Sequence, residues 1–186
     1  ISLDKANPKN KLKKIKYVTS DFIKFDFKSN TSKNIDCVIH LAAETRVVES
    51  EKNPKNFYNE NINKTVNFFF KCKEHGIKHF IFFSTAGAIA GNKSKASESS
   101  KENPLSFYGL SKQITEKLLI YFGNKFNIKI TIIRLSNVYG KHSLHKSSFI
   151  HLFLKKLKKN EPLNIYGDGK QTRDFIYVED ISIIID

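Results

Sequence analysis

A tyrosine and a lysine four residues apart, Tyr108 and Lys112, form the pair in this sequence that is best suited to proton transfer. At this spacing two side chains lie on one face of a helix, one turn apart. A phenol with a pKa of about 10 is a poor base at neutral pH, and a neighbouring ammonium lowers that pKa by favouring the phenolate. The spacing therefore predicts an acid/base pair. An ordinary helix with a partly buried tyrosine has the same spacing, so the surroundings must decide between the two.

Further polar groups follow apolar runs that are predicted to be strands. Ser84 and Thr85 come at the end of one run, and Asn137 follows the next. In a doubly wound parallel sheet, ligands bind outside the carboxyl ends of the strands. These groups should therefore meet Tyr108 and Lys112 at one edge of the sheet.

A third strand end carries Leu41, Ala42 and Ala43. The two alanines would let a ligand approach the backbone closely at this edge. Tight helix packing favours the same small residues, so the alanines by themselves do not distinguish a ligand site from a packing contact.

The elements that must position these groups alternate short apolar runs with longer amphipathic stretches, a pattern typical of βαβ units. The predicted strands are Lys16–Thr19, Asp36–Leu41, His79–Ser84 and Lys129–Arg134. The predicted helices are Asn56–His75, Tyr108–Phe126 and Ser148–Lys159. The predicted loops are Asn92–Leu105 and Gly140–Lys146. The fold class that follows is α/β, a doubly wound, Rossmann-like parallel sheet over residues 1–146. Residues 147–186, with a short strand at Leu163–Tyr166, are predicted to begin a smaller substrate lobe.

Length and composition set the class of protein. The 186 residues are 40% hydrophobic and 27% charged, which is ordinary for a soluble domain with a real core. No apolar run is long enough for a transmembrane helix, and no leader is apparent, so we expect a cytoplasmic protein. Cys37 and Cys72 make no disulfide framework and no metal-ligand spacing. The chain starts at Ile1 and contains no methionine, which favours a fragment.

The net charge of +14 raises the question of nucleic-acid binding. The lysines, however, are spread along the whole chain, whereas nucleic-acid patches usually cluster their charge and use arginine. The only arginines are Arg46, Arg134 and Arg173. We therefore expect no nucleic-acid partner, and the three retained guanidinium groups become candidates for specific contacts.

Several stretches together resemble one known family, the NAD-dependent epimerases/dehydratases, which are extended short-chain dehydrogenases/reductases acting on nucleotide sugars. The most specific stretch is the run from Ile165 to Val178, which includes Gly167-Asp168-Gly169. The other matching stretches are Leu3-Asp4, Ser20-Asp21, Val38–Ala43, Asn61 with Thr65 and Asn67, Phe82–Gly91, Tyr108–Lys112 and Arg134–Gly140. The resemblance covers essentially the whole chain.

The resemblance implies a role for each matching position. The catalytic residues would be Tyr108, Lys112 and one of two hydroxyls, Thr85 or Ser84, with Thr85 favoured. The residues holding the cofactor, NAD, would be Asp4, Asp21, Leu41, Ala42, Ala43, Asn61, Tyr108 and Lys112. The residues binding the nucleotide sugar, expected to be a UDP-hexose, would be Thr45, Arg46, Asn137 and Arg173. A surface ion pair is an equally good explanation of Arg46, whereas the guanidinium of Arg173 suits a diphosphate. The resemblance implies a homodimer. It implies no metal, no nucleic-acid partner and no membrane partner.

The sequence departs from the family pattern in three places. The Gly-rich loop that cradles the pyrophosphate is absent, so if Asp4 is the ribose-binding acid, the first strand and helix lie upstream of Ile1. The chain as given is then expected to be inactive. Ala90 stands where the family has an aromatic residue. Ala86-Gly87 stands where the dehydratases have an acidic pair.

The last departure favours a nucleotide-sugar 4-epimerase over a dehydratase, because removal of water needs extra acid/base groups. A 4-epimerase oxidises and re-reduces one carbon with tightly bound NAD, and one tyrosine serves both steps. A 4-keto-sugar reductase of the same family is an alternative. A non-catalytic relative that binds dinucleotide or RNA is another.

Overall fold

A computed structural model of the chain describes residues 1–8, 11–28, 35–91, 96–141, 143, 149–165 and 167–185. Helices and parallel strands alternate along these residues, which confirms the predicted α/β class. The strands are β1 (Ser2–Asp4), β2 (Tyr17–Thr19), β3 (Cys37–His40), β4 (His79–Thr85), β5 (Lys129–Leu135), β6 (Asn137–Tyr139) and β7 (Phe175–Tyr177). They form three parallel sheets, β1-β2, β3-β4-β5 and β6-β7.

The sheet β3-β4-β5 is the one that positions the candidate site. β4 lies in its centre and is an almost continuous apolar run, as expected for a strand that helices cover on both faces. The last residues of β4, Ser84 and Thr85, pair with Arg134 and Leu135 of β5. Both hydroxyls therefore lie at the carboxyl end of the sheet, where the sequence predicts them.

The helices are α1 (Val47–Lys52), α2 (Pro54–Phe57), α3 (Lys64–Glu74), α4 (Gly87–Ala90), α5 (Phe107–Phe126), α6 (Phe149–Lys158) and α7 (Val178–Ile185), with a 3₁₀ turn at Phe22–Lys24. The predicted helices Tyr108–Phe126 and Ser148–Lys159 correspond to α5 and α6. The predicted helix Asn56–His75 is continuous over residues 54–74, but a π-helical turn over Tyr58–Asn63 joins α2 to α3. Such turns are rare and frequently occur at functional sites.

The start of α5 is held tightly against the end of β4. Ser106 caps the helix by accepting a hydrogen bond from the Gly109 backbone N–H, at 3.1 Å. A side chain at Gly109 would collide with the Ala88 carbonyl oxygen of α4. Glycine at this position lets the first turn of α5, which carries Tyr108, pack directly on the segment that follows Thr85.

The core is an aromatic cluster between the sheet and the helices. Phe69, Phe80 and Leu119 are completely buried in it, and Phe82 is 1% exposed. Rings from the 3₁₀ turn and the following loop extend this cluster to the β1-β2 side, where Phe25 and others pack. The sheet that carries the candidate site is thus backed by a closely packed apolar layer.

One predicted element is wrong. Residues 163–165 form no regular structure, and Tyr166 lies outside the described residues, so no strand is seen at Leu163–Tyr166. A strand needs a neighbour for its backbone groups, and β6 takes β7, residues 175–177, as that neighbour. The sequence analysis missed both of these strands.

The remaining predictions on organisation are tested only in part. In the loop Asn92–Leu105, the described residues 96–105 contain no helix or strand, as predicted. Of the loop Gly140–Lys146, only residues 140, 141 and 143 are described, and the predicted domain boundary at 146/147 lies outside the described residues. Within the part of the chain that the structure describes, no helix is long and apolar enough to cross a membrane.

Candidate functional site

Two cavities lie at the carboxyl ends of the strands. The central cavity, of about 820 Å³, opens where β4, α5, β6, α6 and β7 meet. The edge cavity, of about 710 Å³, lies between β1 and β3. The predicted residues that line the central cavity are Leu41, Ala43, Thr45, Ser84, Thr85, Tyr108, Lys112, Asn137 and Arg173. Those that line the edge cavity are Asp4, Leu41, Ala42 and Ala43.

Tyr108 and Thr85 meet in the central cavity. Burial raises the pKa of the Tyr108 phenol, and a side-chain hydrogen bond with Thr85 opposes the rise. The pKa of Tyr108 thus lies above its usual value in the chain by itself, whereas the pairing with Lys112 predicts a lowered one. Of the two candidate hydroxyls, Thr85 is the one in contact with the phenol.

Lys112 lies deep in the wall of the central cavity and is 3% exposed. Its Nζ donates a hydrogen bond of 2.8 Å to the Phe83 carbonyl oxygen on β4. Burial lowers the pKa of Lys112 to about 8, although the carboxylate of Glu116, one turn further along α5, acts in the opposite direction. The amine thus titrates close to neutral pH, which is the range in which it can support a proton-transfer site.

Ser84 has an unusual position. Its side-chain oxygen is buried and has no hydrogen-bond partner among the described residues, although the residue lines the central cavity. An unpartnered buried hydroxyl costs free energy, since it has lost its water without gaining a protein partner. A polar ligand in the central cavity would supply the missing partner.

Asn61, in the π-helical turn, lines neither cavity. Its Oδ1 accepts a hydrogen bond from the Glu44 backbone N–H at 2.8 Å, and its Nδ2 donates to the Glu44 carbonyl at 2.9 Å and to Ser111 Oγ at 3.1 Å. The freed carbonyl of Asn61 accepts from Thr115 Oγ1 at 3.1 Å. Asn61 is 1% exposed and joins the loop after β3 to the face of α5 that carries Ser111 and Thr115.

Acidic groups occupy the far side of the edge cavity. Asp4 is exposed there, and its Oδ1 accepts from the Ala6 backbone N–H at 2.9 Å. Asp21 does not line the cavity and instead forms ion pairs with Lys5, at 3.5 Å, and Lys64, at 3.3 Å. Burial raises its pKa, but hydrogen bonds from Ile23 and Lys64 outweigh this effect and hold the pKa of Asp21 below its usual range.

Polar groups from the second half of the chain complete the central cavity. Asn137 Nδ2 donates to the Asp174 carbonyl at 2.9 Å, and Arg173 Nη1 donates to the Thr172 carbonyl at 2.8 Å. Arg46, by contrast, precedes α1 at the surface and lines neither cavity. Among the described residues that line the central cavity, Lys112 and Arg173 are the only charged ones, and none is a carboxylate.

The sequence analysis missed an ion-pair network behind the site. Arg134 of β5 donates from Nε to both carboxylate oxygens of Glu116, at 3.0 and 3.1 Å, and from Nη2 to Glu102. Hydrogen bonds with Gln113 first, and then with Lys117 and Arg134, lower the pKa of Glu102 to about 2 against the effect of burial. The signals in the sequence were a rare arginine at a strand end and a glutamate one turn after Lys112.

Metal chemistry has no support in the described part of the chain. No group of three or more histidine, cysteine or acidic side chains among the described residues could hold a metal ion. Among the predicted catalytic residues, the central cavity brings together the phenol of Tyr108, the hydroxyls of Ser84 and Thr85, and the Lys112 amine of lowered pKa.

Comparisons with known proteins identify the family of the chain. Residues 1–185 match the NAD dependent epimerase/dehydratase family. A putative UDP-glucose 4-epimerase of Methanocaldococcus jannaschii is 34% identical over 186 residues, which cover 97% of this chain and 61% of the relative. The matches also include dTDP-D-glucose 4,6-dehydratases, such as that of Dictyostelium discoideum.

Solved structures give the same result. A UDP-N-acetylglucosamine 4-epimerase of Methanobrevibacter ruminantium superposes with a TM-score of 0.81 at 31% identity, covering 90% of this chain and 55% of that one. A UDP-glucuronic acid 4-epimerase of Bacillus cereus, in complex with UDP-glucuronic acid and NAD, gives 0.77 at 34% identity, covering 89% and 52%. The chain thus spans little more than half the length of these relatives, and it belongs to the NAD-dependent epimerase/dehydratase family.

Proposed function

We propose that this chain is part of a nucleotide-sugar 4-epimerase in which Tyr108 is the acid/base. The observation that carries the proposal is the meeting of Tyr108, Thr85 and the buried Lys112 in one cavity whose described lining holds no carboxylate. A 4,6-dehydratase needs further acid/base groups to remove water across two carbons. The residues after Thr85, Ala86 and Gly87, cannot supply them.

The chain offers residues that fit NAD. Asp4 lies at the end of β1, where its carboxylate can bind ribose hydroxyls, and it shares the edge cavity with Leu41, Ala42 and Ala43. The small side chains of the two alanines leave the backbone accessible, and Leu41 and Ala43 also line the central cavity. NAD, when bound, supplies the hydride acceptor and donor that an epimerase needs. Asn61 and Asp21 would support this site from behind, since their polar atoms already have protein partners.

Each polar residue of the β4 and α5 side of the central cavity has a separate role in the proposed proton transfer. Tyr108 exchanges a proton with the reacting sugar hydroxyl, and Thr85 holds the phenol in place. The Lys112 ammonium would stabilise negative charge on the phenolate once substrate and NAD are bound, and this would work against the rise in pKa that burial causes. Ser84, whose hydroxyl has no described partner, donates to or accepts from the sugar.

The substrate would enter as a UDP-hexose with its diphosphate at Arg173 and Asn137. Apart from Lys112, Arg173 is the only charged residue among the described residues that line the central cavity, and a guanidinium binds a diphosphate with two parallel hydrogen bonds. The enzyme is proposed to be a homodimer through α3 and α5. Ile120 and Tyr121 of α5, 45% and 60% exposed, present apolar surface for such a contact.

Product analysis of the full-length protein tests the proposal. UDP-glucose, UDP-N-acetylglucosamine and UDP-glucuronate are each incubated with the protein, and the sugars and the redox state of the nicotinamide are measured together. An epimerase forms the 4-epimer with no net consumption of NADH, and Tyr108→Phe abolishes the product. Stoichiometric loss of NADH with a 4-keto sugar would identify a reductase, a relative of which is the dTDP-4-dehydro-6-deoxyglucose reductase of Escherichia coli.

A further inference from the structure

The ammonium of Lys112 lies over the aromatic ring of Phe82, a residue that has no role in the reaction proposed above. Its Nζ is 4.5 Å from the centroid of the Phe82 ring, on β4. A cation over an aromatic ring is attracted by the quadrupole of the ring, most strongly where water is excluded. Phe82 is 1% and Lys112 is 3% exposed, so both partners of this contact are desolvated.

The other neighbours of the ammonium do not satisfy it fully. An ammonium has three N–H donors, and the hydrogen bond described for Lys112 uses one of them, toward the Phe83 carbonyl. Glu116 on the same helix favours the charged form, but Arg134 of β5 binds that carboxylate with two donor groups. His40, at the end of β3, stays neutral because burial lowers its pKa to about 3, with the charge of Lys112 contributing.

The Lys112 amine is therefore present in both its charged and its neutral form near neutral pH. Burial works against the ammonium and brings the pKa of Lys112 to about 8. A contact that stabilises only the charged form changes the charged fraction most when the pKa lies this close to the working pH. Tyr108, one turn earlier on α5, is the group that would feel the change.

We propose that Phe82 is a positioning residue whose ring keeps Lys112 charged and in place at the wall of the central cavity. The inference rests on the role proposed above for Lys112 beside Tyr108. Phe82 does not line the central cavity, so it acts on the chemistry only through Lys112.

Phe80 provides a matched control on the same strand. It is 0% exposed, lies two residues earlier on the same face of β4, and packs on the His40 ring at 5.8 Å, as Phe82 does at 6.2 Å. No cation–π contact is described for it. Replacing either ring by leucine removes similar buried area, but only Phe82→Leu removes the contact with the ammonium.

The experiment is a titration of Lys112 in the full-length protein, labelled with carbon-13 at lysine Cε and observed by NMR. The Lys112 signal is assigned by its absence in Lys112→Met. We expect Phe82→Leu to lower the pKa of Lys112 by about half a unit to one unit. Phe80→Leu should leave the pKa at the parent value, and so should Phe82→Tyr, which keeps the face of the ring.

An unchanged pKa in Phe82→Leu, or an equal fall in Phe80→Leu, would overturn the inference. The NMR signal of Lys112 in the folded protein reports its pKa whatever fraction of the sample is folded. A loss of stability in a variant therefore cannot produce an apparent fall in this pKa. If Phe82→Leu does not fold, Phe82→Met fills the site without an aromatic face and gives the same comparison. The epimerase proposal depends on activity and Tyr108→Phe, so either proposal can fail while the other stands.

Discussion

The two walls of the central cavity are built in opposite ways. On the wall formed by β4 and α5, Lys112 and the polar side chains behind it, Ser111 and Glu116, are at most 3% exposed, and each has a described hydrogen-bond partner. The buried Ser84 hydroxyl is the exception on this wall. On the wall formed by β6, α6 and β7, Asn137 and Arg173 are exposed and bond only to nearby backbone. The difference indicates that Lys112, in the proposed proton-transfer site, is fixed before a ligand arrives, whereas the proposed diphosphate-binding groups become fixed with it.

This difference follows from what each wall must do. A proton-transfer group works only within a narrow range of distances, so its position must be determined by the protein. A group that binds a charged diphosphate gains enough from two charge-assisted hydrogen bonds to offset the entropy of its own ordering. Substitutions on the first wall should therefore act on turnover and stability, and those on the second wall on substrate affinity.

The strongest test of the first wall is Tyr108→Phe in the full-length enzyme. Turnover should fall by about 10²- to 10⁴-fold, because the proton donor is lost, while the ring still packs and NAD affinity stays near the parent value. Steady-state kinetics and NAD titration by calorimetry measure the two quantities. Lys112→Ala should reduce both, since its ammonium serves Tyr108 and the cofactor site together. Turnover within a few-fold of the parent in Tyr108→Phe would contradict the assignment.

Asn61, behind the first wall, and Asn137, on the second, allow the difference between the walls to be measured as a change in the free energy of unfolding. Asn61→Ala leaves the Glu44 N–H without its side-chain partner and removes the buried bond to Ser111, so we expect a loss of about 3 kcal/mol in the free energy of unfolding. Asn137→Ala removes one exposed hydrogen bond and should cost less than about 0.5 kcal/mol. Urea unfolding of both variants checks this. Equal losses would mean that the two walls are equally rigid.

The role of Asn61 also shows where prediction from the sequence stops. Periodicity predicted its helix, and the resemblance gave it a cofactor role, but its partner Glu44 is 17 residues away in the chain and Ser111 is 50 away. Nothing in local spacing encodes such a contact. Tyr108 and Lys112, by contrast, share one helix turn, and Ser84 and Thr85 end an apolar strand, so short-range rules placed all four correctly.

The second half of the chain was harder to predict for a related reason. β6 and β7 are three residues each and pair across 38 residues of sequence, as in Asn137 with Phe175. A strand this short carries almost no pattern of its own, and its existence depends on the neighbour that binds it. The segment 163–165 has the better β pattern but no neighbour, and it forms no strand.

His40, whose ring stacks on Phe82 behind the wall formed by β4 and α5, should make the stability of the protein depend on pH. Burial, aided by the charge of Lys112, lowers its pKa from 6.5 to about 3. The unfolded chain takes up a proton at His40 below about pH 6.5 whereas the folded chain does not, so the stabilisation is complete above that pH and is lost toward about pH 3. Urea midpoints at about pH 7 and about pH 5 should differ less in His40→Leu than in the parent. His79→Leu, at a half-buried position, is the control and should keep most of the difference.

The smallest effect is expected on the second wall, from Arg173→Lys. Lysine keeps the charge but loses the two parallel donors that match a diphosphate, so KM for the nucleotide sugar should rise about tenfold with turnover little changed. Arg46→Lys is the matched control, because Arg46 lines neither cavity and its replacement should leave KM at the parent value. Steady-state kinetics with UDP-glucose at fixed ionic strength measure both. A fall in turnover with KM unchanged would mean that Arg173 acts on the reaction step and not on substrate binding, and this result would contradict the contrast between the two walls.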